Sequence, residues 1–110
     1  MSREYDKLVR DEIPAIIAAD GETPITHAVE GETYEARLFE KLAEETAELR
    51  GSPGVEEFAD VLEVLDALRQ RLGVEEAELE RVRAEKAVER GRFDDGVVLE
   101  RVEGGTDGRA

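Results

Sequence analysis

Two pairs of carboxylates in this sequence stand where solvated charge does not belong. Leu38, Leu42 and Leu49 fall at i, i+4 and i+11 of a helical seam, and the position completing that seam at i+7 is Glu45. An unpaired carboxylate on a core-facing stripe is strongly disfavoured. Glu48 follows three residues later, one turn away on the same side, and Glu44 flanks both. Val61, Val64 and Leu68 make a second seam, and Glu57 and Asp60 open that face, again three apart. The turn Gly51-Ser52-Pro53-Gly54 between the two runs is short enough to fold them into an antiparallel hairpin. Glu45, Glu48, Glu57 and Asp60 are then expected to converge, and converging carboxylates repel unless a cation sits among them. Hard oxygen donors suit Mg²⁺ or Mn²⁺, and Mg²⁺ usually serves substrates that carry phosphate.

A phosphate ligand needs cations beside it. Lys7 and Arg10, three apart before the first helix, and Lys86 and Arg90, four apart in the last, are the candidates. Each alone also reads as surface charge balanced by nearby Asp and Glu. His27, the single histidine, has no partner in its segment, and Tyr34, Phe39 and Phe93 read as packing residues. The glycines form no phosphate-cradling loop.

The elements that must position these groups are helices. Asp11–Ala19 is predicted as the first, capped by Asp11, with Pro14 in its first turn and Gly21 behind its end. Further helices are expected over 33–49, 55–72 and 75–90, the last followed by Gly91. Two short stretches, 25–29 and 96–102, alternate or run apolar and are expected to pair as strands. The fold class is therefore all-α, a four-helix bundle-like domain over 1–102 with that short β-pairing, and a disordered tail over 103–110.

Composition limits the function classes. The 110 residues are 40% hydrophobic and 5% aromatic, without Trp, which suits packed Leu, Val, Ala and Ile on helices. No Cys is present, so disulfides, thiolate metal sites and cysteine nucleophiles are excluded. A net charge of −14 repels nucleic acid polymers and anionic membranes. No apolar run approaches the length of a membrane span and no signal-peptide pattern opens the chain, so a cytoplasmic location is expected. The lysine-poor, acid-rich surface resembles that of salt-adapted (halophilic) proteins. Apolar stripes on a chain this small are expected to be covered in part by a homodimer or homotetramer.

Glu44-Glu45-Thr46-Ala47-Glu48 followed by Glu57-Phe58-Ala59-Asp60 resembles the EExxE…ExxD signature of the all-α nucleotide pyrophosphohydrolases, the MazG-like superfamily. The segments Tyr5–Pro14 and Lys86–Phe93 resemble the two ends of a compact branch of it. The gap between the motif halves is shorter here than in many MazG proteins. The resemblance implies a Mg²⁺-dependent enzyme, a homo-oligomer, that splits a nucleoside triphosphate between its α- and β-phosphates to release pyrophosphate. By motif, Glu45, Glu48, Glu57 and Asp60 bind the metal, Glu44 is a further ligand or orients water, and Glu44 or Glu45 takes the water's proton. The basic residues Lys7, Arg10, Lys86 and Arg90 fall in regions that face the phosphates. Phosphoribosyl-ATP pyrophosphohydrolase shares this fold and metal cluster, but Lys41-Leu42-Ala43-Glu44-Glu45 has Ala where its KxGEE form has Gly. A non-catalytic nucleotide-binding helical module is the reading from another class.

Overall fold

The computed structural model describes residues 2–104. Among them are four α-helices and no strand: α1 (Ile13–Ala19), α2 (Gly31–Gly51), α3 (Val55–Arg71) and α4 (Glu76–Arg90). The chain divides into two compact units, one ending at Glu75 and one beginning at Glu76.

In the first unit, α2 and α3 pack as an antiparallel hairpin across the three residues Ser52, Pro53 and Gly54. The core lies in this seam. Leu38, Val64 and Leu68 are buried, with Tyr34, Leu42, Ala67 and Leu8 packed against them. Leu8 belongs to the N-terminal segment, so that segment is pinned to the hairpin by apolar contact as well as by charge. Helix α3 ends in a Schellman motif, in which Gly73 (φ 71°) donates to the Gln70 carbonyl and Val74 to that of Arg69.

Two expectations are corrected. Asp11 does not cap α1: the helix starts at Ile13, and Glu12 is the N-cap, with φ −88° and ψ −6° and no side-chain capping bond. The Ile13 N–H is satisfied instead by the Arg10 carbonyl at 3.1 Å, a tight turn that leaves Asp11 no donor to serve. The stretches 25–29 and 96–102 form no β-ladder, and Ile25, Val97 and Val98 are more than 80% exposed. Two short strands with no apolar face to bury do not sustain a ladder in water. Helix α2 is longer than expected by two residues at each end.

The second unit carries α4, whose surface is laced by ion pairs from Arg81 to Glu78 and Glu85 and from Arg83 to Glu80. Residues 103 and 104 are exposed coil, and the rest of the tail expected over 103–110 lies outside the described residues.

Candidate functional site

Helix α2 supplies the site by its own periodicity. Positions 44, 45 and 48 are neighbours on one flank, and the structure brings a carboxylate oxygen from each of Glu44, Glu45 and Glu48 within 4.8 Å of one another. Glu45 occupies the seam position its spacing indicated and is 6% exposed. Its Oε1 pairs with Lys41 Nζ at 3.0 Å, while its Oε2 is buried with no hydrogen-bond partner.

Two lysines balance the three acids. Lys41 sits one turn before them, 3.0 Å from Glu45 and 3.4 Å from Glu44, with its side chain largely buried. Lys7 reaches Glu44 from the N-terminal segment at 3.0 Å. Its aim is set locally: Asp6 adopts a left-handed backbone (φ 43°), and Arg37 donates to both its carbonyl and its carboxylate at 3.0 Å. Such a conformation is uncommon outside glycine, though Asp tolerates it better than most residues, and here two charge-assisted bonds hold it.

These neighbours move the proton affinities in opposite senses. The Lys7 ammonium, hydrogen-bonded to Glu44, holds that carboxyl below its ordinary value, and Glu44 raises Lys7 in return. The Glu45 carboxylate beside Glu48 pushes Glu48 up. A proton on Glu48, or a cation between the two, relieves the repulsion of the paired carboxylates. The raised Glu48 keeps its proton in the folded chain where the unfolded chain has lost it. Its contribution to stability is therefore full below the ordinary glutamate pKa and is lost as pH rises through the folded value. Glu44 behaves in reverse, contributing above the ordinary value and losing that as pH falls through its depressed one. Metal-free melts from mildly acidic to neutral pH should show the Glu48 decline, and Glu48→Gln should flatten it.

The α3 acids have other partners. Asp60 accepts from Arg10 at 2.8 Å. Glu57 folds back over the start of α3, where its Oε1 lies 2.7 Å from the point a Cβ on Gly54 would occupy. A carboxylate at that third helical position is favoured by the helix dipole. Neither joins the close group on α2. Lys7 and Arg10 are thus brought to the acids themselves, one on each helix of the hairpin, and Lys86 and Arg90 lie exposed on α4 in the second unit. The residue that sequence reasoning passed over is Lys41, although its i,i+3 and i,i+4 spacing to Glu44 and Glu45 signals the pairing.

An oxygen-only donor set with a buried, unpartnered carboxylate oxygen fits a hard divalent cation. Three carboxylates against two ammonium groups leave the group with net negative charge.

Fold and site together define an all-helical chain that bears a lysine-bridged carboxylate triad on its longest helix. The chain is similar to a protein of Mycolicibacterium smegmatis described as uncharacterized, 48% identical over 46 residues, which are 42% of this chain and 47% of that one. It thus spans about half the length of the curated relative it matches. No protein-family model and no solved structure matches it.

Proposed function

We propose that this chain is a Mg²⁺-dependent nucleoside triphosphate pyrophosphohydrolase that yields the nucleoside monophosphate and pyrophosphate. The observation that carries the reading is a buried, unpartnered oxygen on Glu45, a residue that brings a carboxylate oxygen within 4.8 Å of those of Glu44 and Glu48. Glu44, Glu45 and Glu48 would hold the cation; Glu57 and Asp60, ligands by the resemblance, would have to leave the start of α3 and Arg10 to join them. A divalent cation there supplies charge neutralisation for phosphate oxygens and a more acidic water. Glu44 or Glu45 would take the water's proton, with Glu44 kept ionised, though less basic, by Lys7. Lys7, released from Glu44 by a competing cation, is placed to meet a phosphate oxygen. Substrate and Mg²⁺ are both cytoplasmic, and we place the reaction there, in a house-cleaning role.

Pyrophosphate release from a panel of canonical, oxidised and deaminated nucleotides and phosphoribosyl-ATP tests this, with and without Mg²⁺. Glu48→Gln should lower release by about a hundredfold or more, since loss of even an outer partner of a metal ligand costs about 10–100-fold. A folded wild type that binds Mg²⁺ but releases nothing from the panel would overturn the enzyme reading.

One observation favours a second reading. Lys7–Glu44 and Arg10–Asp60 tie the N-terminal segment to both helices of the hairpin. That network suits a non-catalytic helical module in which the acids act as structural ion-pair partners.

A further inference from the structure

Arg37 stands on the same flank of α2 as Lys41 and Glu44, two turns before Glu44 and about 10 Å from it along the helix axis. Its side chain is only 25% exposed, yet its ion pairs go to Asp6 and Glu40 and to none of the three acids of the site. Its terminal nitrogens grip Asp6 twice, at the carbonyl and at the carboxylate, both at 3.0 Å. A left-handed backbone at a residue other than glycine is costly and persists only where its surroundings hold it. The next residue is Lys7. Beyond it, Leu8 packs on the core and Arg10 pairs with Asp60 at 2.8 Å. Lys7 is therefore anchored on both sides, and the Tyr5 ring lies 5.7 Å from its ammonium group.

We propose that Arg37 is a positioning residue: by clasping Asp6 it keeps Lys7 on Glu44 in the cation-free chain and at the phosphate once a divalent cation is bound. This rests on the cation and phosphate reading above, which the buried, unpartnered oxygen of Glu45 supports. Of the two lysines at the acids, only Lys7 is free to exchange. The Lys41 side chain is 16% exposed, so freeing its ammonium would strand a charge, whereas Lys7 is 40% exposed and can turn to water. Because the segment is pinned at Asp6, Leu8 and Arg10, the exchange moves one side chain and leaves the backbone in place. An ammonium tethered so closely acts at high effective concentration. It competes with an entering cation for Glu44, and it then meets the phosphate that the cation carries. Loss of the clasp should therefore act with opposite sign on the two ligands, whereas general damage to the hairpin weakens both.

Calorimetric titration of the full chain with Mg²⁺ alone reads the first ligand. Lys7→Met should bind the ion about two- to fivefold more tightly, which is what an exposed ion pair is worth. Arg37→Gln should tighten it in the same direction and should add nothing in a Lys7→Met background. Arg83→Gln, which removes the same charge from α4, should leave the affinity unchanged. Asp6→Gly breaks the clasp from its other side, and glycine takes the left-handed turn without strain. Losing an acid would by itself loosen a cation, so tighter binding by that variant has to come from Lys7. The second ligand is imidodiphosphate, whose P–N–P link resists hydrolysis. With Mg²⁺ saturating, Lys7→Met and Arg37→Gln should bind it about tenfold more weakly. A wild type that binds no Mg²⁺ overturns this proposal together with the enzyme reading. Equal Mg²⁺ affinity in wild type, Arg37→Gln and Asp6→Gly, or both ligands weakened together by Arg37→Gln, overturns the positioning role alone.

Discussion

Replacing Glu45 with Gln should raise the melting temperature of the metal-free protein and erase its response to Mg²⁺. In wild type, the buried Oε2 has no donor, and the same carboxylate pushes against Glu48. A Gln amide removes that repulsion and can donate an N–H to Glu48. Lys41 loses one partner but retains Glu44 at 3.4 Å, so no bare charge is left buried. The balance is a gain of about 1 kcal/mol, the size of one satisfied polar group, or roughly 4–8 °C in a domain of this size. The cation works in the other direction. Mg²⁺ at a hundred times its dissociation constant should stabilise the folded wild type by about 2.7 kcal/mol, roughly 10–20 °C. With Gln in place that increment should vanish. Calorimetric melts of both proteins with and without Mg²⁺ decide the matter. A wild type indifferent to Mg²⁺, together with a Glu45→Gln variant that melts lower, would mean that Glu45 is present to hold Lys41.

The anomaly that singled out Glu45 was legible because a helix imposes its period on every residue: Leu38, Leu42 and Leu49 leave a vacancy, and the side chain in it must be buried. The hairpin was legible for the same reason, since two seams joined by a short Gly- and Pro-containing turn have few ways to meet. Partner choice was less visible. Period places Glu57 and Asp60 on the facing side of α3, but it does not say that Glu57 turns back over its own helix terminus or that Arg10 reaches Asp60. Those outcomes depend on where an irregular segment runs, and its path rests on the left-handed Asp6, which no periodicity reports. The expected strands failed on similar grounds. Alternation in 25–29 states which side chains share a face, while a ladder also needs an apolar surface to cover, and none is offered to Ile25. A second apolar stripe on α3 was readable throughout, because Phe58, Leu62, Leu65 and Leu72 are as periodic as the buried seam. What the pattern lacked was any sign that α2 covers only one of the two.

Leu68→Ala should bring the α2–α3 hairpin close to its unfolding midpoint at room temperature, and Mg²⁺ should restore part of the loss. Leu68 is 5% exposed and is one of three buried hydrophobic residues among those described. Truncating a buried leucine costs about 2–5 kcal/mol through lost transfer energy and an unfilled cavity. Domains of this size have roughly 5–15 kcal/mol of stability, and one with so small a core falls at the low end. Loss of far-UV helical ellipticity at 25 °C reads the result. Val88→Ala, at a position 88% exposed on α4, should change it little, within about 0.5 kcal/mol. The partial rescue ties the core to the site. Glu44, Glu45 and Glu48 lie within 4.8 Å only while α2 is helical, so a cation bound by them favours the folded hairpin. A saturating concentration returns about 2.7 kcal/mol, comparable to what the missing leucine removes, and Ca²⁺ or Mn²⁺ should act in the same sense if the donors are simply hard oxygens. Loss of ellipticity that no divalent cation reverses would separate the two, leaving the seam as the source of the hairpin's stability and the acids as partners of Lys7 and Lys41 alone.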